Sequence, residues 1–365
     1  MIAGRARRGL LALLAGAAVS PALPVRSQAQ VVRGELVDSI AARPVTAAIV
    51  TLVDGSGGEF GRTLTNANGR FLVRAPAAGA FRLRVRLVGF DVWESEPMAL
   101  AVGETVVRRV SLLLVRAKLP AITVEAEQTC VVRPEEGAAA AALWDEVKKV
   151  LAATELTMKS REFRFRSVGT ERELDRLGVV VRDTSYRSIG YRAWPFGALS
   201  PELLARWGFV QGSAAGPVFF GPDAQLLVSD AFLDDHCFRV RMGPDGSGRV
   251  GLAFEPVAGR GVPEIEGTLW LDSATVALRK LEWSYRNLSR WAREGKPGGE
   301  VDFAALPTGA WFIRRWELRA PIAEVFPANP DTAYFGVKIR EEAVTEVVKA
   351  DGTPVVVYDT PKAPR

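Results

Sequence analysis

Between Thr63 and Val73 the chain reads Thr-Leu-Thr-Asn-Ala-Asn-Gly-Arg-Phe-Leu-Val, an alternating run broken by Asn-Gly and then resumed. Asn68-Gly69 tolerates positive φ at both central positions of a type I′ turn, and Phe71 follows just inside the returning strand. The spacing therefore predicts a β-hairpin across Asn68 and Gly69 and commits this part of the chain to antiparallel β structure. Its neighbours agree. Val31 to Val37 reads as a strand, and Pro44 to Val53 reads as a second, with Ile49, Thr51 and Val53 alternating. Asp54-Gly55-Ser56-Gly57-Gly58 is a turn, and Gly103 to Leu114 supplies a last strand. Nothing from Val31 to Val115 has helical period.

Phe81 to Leu87 alternates strictly, with Phe81, Leu83, Val85 and Leu87 on one face and Arg82, Arg84 and Arg86 on the other. The three arginines read either as a stripe for lipopolysaccharide or another polyanion, or as a solvated strand face that discourages edge pairing. Taken together, Val32 to Asp38, Pro44 to Val50, Thr65 to Phe71 and Gly79 to Gly89 resemble the carboxypeptidase regulatory-like domain. The resemblance covers residues 30–115 and implies a seven-stranded transthyretin-like sandwich of the carbohydrate-binding-like class. It implies a module common on secreted and cell-envelope proteins and does not imply peptidase activity, since the family takes its name from a non-catalytic tail.

Residues 1–29 stand apart. Arg5, Arg7 and Arg8 precede an apolar run from Leu10 to Val19, and Ser27-Gln28-Ala29 offers the small residues a signal peptidase reads. A signal peptide is predicted there, because so short a run cannot span roughly 30 Å of hydrocarbon. It holds four of the 47 basic residues and no acid, which leaves 43 basic against 42 acidic side chains in the processed chain. A sequence pI near 9.3 thus gives no footing for a nucleic-acid partner. No later stretch is apolar for long enough to span a bilayer as a helix, so peripheral membrane association is the closest expected, in the periplasm or on the outer-membrane surface.

Residues 116–135 read as a linker, and Val115 to Ala126 is similar to the segment that joins such modules to the plug of TonB-dependent receptors. A second domain is predicted over 136–348, with a terminal hairpin and tail over 349–365. Glu136 to Thr154 is a helix by its stripe of Ala139, Leu143, Val147 and Leu151. Short strands dominate afterwards. The strongest signal is Glu264 to Tyr285, where Ile265, Gly267, Leu269 and Leu271 share a face. Asp272 to Thr275 turns the chain, and Leu281, Trp283 and Tyr285 return. Mainly β architecture follows, a curved antiparallel sheet with one long helix. The pattern from Gly267 to Tyr285 is similar to the half-barrel of periplasmic lipoprotein carriers, which implies a concave apolar face. Trp270, Trp283, Trp311 and Trp316 would wall such a ligand cavity or else form plain core.

Chemistry is sparse. Cys130 and Cys237 are the two cysteines and are expected to form a disulfide in an oxidising compartment. Asp234-Asp235-His236-Cys237 gathers carboxylates, the sole histidine and a thiol, yet one histidine cannot supply the ligand set of a zinc peptidase. No nucleophile elbow, phosphate loop or dinucleotide fingerprint occurs. No metal and no cofactor is expected. The sequence points to a non-enzymatic, exported bacterial envelope protein that binds a glycan, a lipid or a partner protein. Two alternatives stay open: an envelope hydrolase with an acidic site, and an accessory subunit of a TonB-dependent transport system.

Overall fold

A computed structural model describes residues 30–119, 130–191, 194–195, 199–213, 216–244, 246–326 and 329–359. The predicted signal peptide and most of the receptor-like linker segment lie outside the described residues. The N-terminal part is a two-layered β-sandwich. Its strands are β1 (Gln30–Asp38), β2 (Ile49–Asp54), β3 (Glu59–Leu64), β4 (Arg70–Ala75), β5 (Gly79–Arg86), β6 (Trp93–Glu94), β7 (Met98–Leu100) and β8 (Thr105–Leu112). One sheet runs β4-β1-β8, and the other runs β3-β2-β5-β6 with β7 also on β5. Alternate residues of each strand meet between the layers, among them Val32, Leu36, Leu52, Phe71, Phe81 and Leu83. Seven strands were expected; eight are present because the return from β5 is broken into two short pieces.

The expected Asn-Gly hairpin is corrected. β3 pairs with β2 and β4 pairs with β1, so the turn carries the chain from one layer to the other. Only Gly69 has positive φ, at 70°. Asn66, two positions before Asn68, holds the turn: its side-chain oxygen accepts from Asn68 N (2.9 Å) and Arg70 N (3.0 Å). Gly69 is required twice over, since a Cβ there would also lie 2.5 Å from the carbonyl oxygen of Leu36.

The remaining chain builds a second, larger unit. It comprises β9 (Val131–Val132), a 3₁₀ turn (Pro134–Glu136), α1 (Ala138–Ser160), β10 (Phe163–Asp175), β11 (Val180–Gly190), α2 (Pro201–Trp207), β12 (Val210–Ser213), β13 (Gly216–Phe219), α3 (Ala224–Leu227) and α4 (Asp230–Asp235). After these come β14 (His236–Met242), β15 (Arg249–Pro256), β16 (Glu264–Asp272), β17 (Leu278–Arg286), α5 (Arg290–Glu294), β18 (Gly298–Ala305), β19 (Trp311–Phe326), β20 (Asn329–Lys349) and β21 (Pro354–Val357). Eleven strands form one sheet, ordered β11-β10-β20-β19-β18-β17-β16-β15-β14-β9, with β21 on β20. Its ladders are antiparallel throughout.

The long helix runs six residues past its predicted end at Thr154. No glycine or proline interrupts Glu155 to Ser160, and Thr157 and Met158 continue the buried stripe until Arg161 closes it at φ 54°. Its apolar side packs into the sheet in one cluster with Leu226 and Phe232 of the short helices and Leu252, Leu269 and Leu281 of the strands. Its other side receives the sandwich. Glu146 and Lys149 are 3% and 2% exposed and bond each other at 2.6 Å. The Glu146 carboxylate accepts from Gly89 N at 2.8 Å, and Lys149 Nζ donates to Phe90 O at 2.7 Å. A loop of the first domain is thereby fastened to the helix of the second.

Candidate binding face on the N-terminal sandwich

The arginine stripe on β5 is mostly consumed internally. Arg84 meets Glu59 at 2.8 Å and Glu94 at 2.5 Å, and Arg86 meets Glu59 at 2.5 Å. Arg62 binds the same carboxylate at 2.9 Å. Burial works to raise the Glu59 pKa, but the surrounding guanidinium groups overcome it and hold the carboxyl at about 2. Arg82 alone of the three is fully at the surface.

Available positive charge lies instead on the opposite layer, at positions sequence reading did not single out. In the β4-β1-β8 sheet even-numbered residues of β1 face the core, so Arg33 and Glu35 face outward. The register places Arg33 between Leu72 and Val107, and Glu35 between Arg70 and Arg109. Arg74 extends the row along β4. Four arginines and one glutamate thus surround Leu72 and Val107, which are 41% and 60% exposed. A shallow depression of about 420 Å³ spans this face. Gly34 keeps the strands close enough for it, since a Cβ there would lie 2.0 Å from the carbonyl oxygen of Arg108. The surface offers guanidinium forks for carboxylate, sulfate or phosphate oxygens and apolar ground for the carbon face of a ring. The missed signal lay in Arg70-Phe71-Leu72-Val73-Arg74, where alternation sets Arg70, Leu72 and Arg74 on the face opposite Phe71 and Val73.

A second concavity follows α1 where the sandwich meets it, as two hollows of about 350 and 300 Å³ joined at Arg62. Its charges answer one another. Glu59 serves Arg62 and Arg86, Lys149 serves Glu146 and Asp145, and Lys159 serves Glu155. A ligand would have to break these pairs to bind there.

The four tryptophans do not converge. Trp283, Trp311 and Trp316 are buried in the cluster that includes Leu143, Val147 and Leu151 of α1, which occupies the concave side of the sheet. Trp270 points to the opposite face, where its indole N–H donates to Glu282 at 2.8 Å. The Asp-Asp-His-Cys run is also dispersed. Asp234 joins Asp230 on Arg133, whereas Asp235 meets Arg260 at 3.0 Å. His236 is 1% exposed, with Nδ1 3.0 Å from Phe232 O and Nε2 3.1 Å from Ile265 O, and its ring stacks on Phe232. Burial lowers its pKa to about 4. Cys237 is joined to Cys130, with Cα atoms 5.4 Å apart, and so offers neither thiolate nor metal ligand. No helix among the described residues is long and apolar enough to cross a membrane. The disulfide is compatible with an exported protein.

No curated protein matches this sequence. Among solved structures, Klebsiella pneumoniae 5-hydroxyisourate hydrolase aligns at 18% identity and TM-score 0.19, over 23% of this chain and 89% of that one. A putative carbohydrate binding protein from Bacteroides uniformis aligns at 8% identity and TM-score 0.20, over 64% and 92%. A DUF1329 family protein from Desulfovibrio piger aligns at 8% identity and TM-score 0.24, over 56% and 94%. Residues 31–113, the stretch that carries the outward arginines, match the family model of the carboxypeptidase regulatory-like domain.

Proposed function

We propose that this protein is a non-enzymatic, exported envelope protein that binds an anionic glycan on the outer face of its β4-β1-β8 sheet. The observation that carries the reading is the set of Arg33, Arg70, Arg74 and Arg109 around exposed Leu72 and Val107 on one three-stranded surface. A glycan is favoured over an acyl chain because α1 and its neighbours fill the concave side of the large sheet. Export is supported by the disulfide and by the leader-like first 29 residues.

Calorimetric titration with a uronic-acid or sulfated oligosaccharide tests this, with a neutral oligosaccharide as control. Saturable binding that weakens as salt rises is expected, and Arg33→Glu with Arg109→Glu weakens it at least about tenfold, the loss of roughly one charged contact. Arg82→Glu on the other layer leaves it unchanged. Equal affinity for the neutral sugar, or no effect of the paired substitution, sinks the proposal.

A further inference from the structure

β11 ends the order of the large sheet: β10 lies on one side of it, and among the described strands none lies on the other. It is eleven residues long, exposed from Val180 to Ile189, and contains neither proline nor lysine. Val181 and Ile189 are 63% and 49% exposed. Edge strands of this length are normally blunted, since their free N–H and C=O groups template further pairing. Here the side chains specify what would pair.

Two copies meeting edge to edge about a two-fold axis must pair antiparallel. Successive residues direct their backbone groups alternately toward β10 and outward, and an antiparallel pair needs two outward or two inward residues opposite each other. The axis can therefore pass through a residue but not between two. Through Asp183 or Arg187 it would set like charges against each other. Through Thr184 it opposes Val181 to Arg187, and through Tyr186 it opposes Asp183 to Ile189. Through Ser185 it opposes Asp183 to Arg187 and Val181 to Ile189, each twice, on one face of the joined sheet, with Thr184 opposite Tyr186 on the other. That register alone brings together both the charged and the apolar side chains. Arg182 is occupied by Glu173 at 3.8 Å, whereas Asp183 and Arg187 take part in no ion pair among the described residues.

We infer that two copies of this chain associate through antiparallel pairing of β11 about Ser185, extending the eleven-stranded sheet across the dimer. The interface is of the small, concentration-dependent class, since one strand from each partner supplies it. It is independent of the glycan site, which lies on the other domain.

Ser185→Cys tests the register, because the axis sets this residue opposite itself with Cα atoms about 4.5 to 5.5 Å apart, within disulfide reach. Under mild oxidation the variant is expected to give a covalent dimer on non-reducing electrophoresis, and Ser39→Cys, exposed on the sandwich, far less. Sedimentation velocity is expected to show a monomer–dimer equilibrium that Asp183→Arg weakens at least tenfold and that Asp183→Arg with Arg187→Asp restores. A monomer at every concentration overturns the inference. So does Ser185→Cys crosslinking no better than Ser39→Cys, or a charge swap that fails to restore pairing.

Discussion

Lys149 illustrates how much one side chain can hold. Its ammonium is 2% exposed and answers two needs at once, the buried Glu146 carboxylate and the carbonyl oxygen of Phe90. Burial, opposed by the Lys149 contact, raises the pKa of Glu146 from its ordinary value. Lys149→Ala would leave that carboxylate without its cation, and a cost of about 3 to 5 kcal/mol is expected in urea unfolding. A combined Lys149→Met and Glu146→Leu variant should lose much less; equal losses would show that the charges themselves do not matter. The turn at Asn66 to Gly69 gives a second case. Gly69→Ala meets both positive φ and the Leu36 carbonyl and should cost more than Asn66→Ala, which gives up two backbone hydrogen bonds worth about 1 kcal/mol each. An Asn68→Ala variant close to wild type would complete the contrast. The dipeptide Asn68-Gly69 was legible as a turn, but the partner of each arm was not, because pairing is decided by strands distant in the chain.

Among elements, the Glu264 to Tyr285 hairpin was legible because both strands alternate and Asp272 closes the turn, accepting from the backbone of Ala274 and Thr275. β14 and β15 were not. Val250 to Phe254 is a run of five buried residues with no alternation, and His236 to Met242 was read for its chemistry instead of its pairing. The first of these strands carries one end of the disulfide. Cys237 lies on β14 and Cys130 sits at the entry to β9, which makes a ladder of two residue pairs there. The bridge closes a separation of 107 residues. On the chain-entropy account, removing both cysteines as Cys130→Ser with Cys237→Ser costs up to about 4 to 5 kcal/mol. Thermal unfolding with and without reductant should show that loss in the wild type and none in the double variant. A reductant effect that persists in the double variant would place it elsewhere.

For the whole molecule, charge is arranged so that most pairs are internal, and this explains why the candidate site escaped the sequence. Arg84 and Arg33 occupy equivalent outward positions on alternating strands, and only the assembled fold sets Glu59 beside the first. The same arrangement governs acid sensitivity. His236 has a folded-state pKa of about 4 against an ordinary value of 6.5, so the folded protein resists a proton that the unfolded chain accepts. Its contribution is complete above pH 6.5 and is lost as pH falls toward 4. Glu59, held at about 2 against 4.5, acts in the same direction in a lower window, contributing above pH 4.5 and losing that contribution toward pH 2. Glu264, whose carboxylate is 3.8 Å from the imidazole and whose pKa burial raises despite Arg260, opposes the histidine, since its protonation favours the folded state. The histidine effect is therefore best read as a difference between wild type and His236→Gln, in which the Glu264 contribution largely cancels. That difference in unfolding free energy should fall by roughly 3 kcal/mol between pH 7 and pH 4, at about 1.4 kcal/mol per pKa unit. A flat difference across that window would mean that the buried imidazole accepts its proton as readily in the fold as in water, and that the two carbonyl contacts at 3.0 and 3.1 Å, not burial, set its charge.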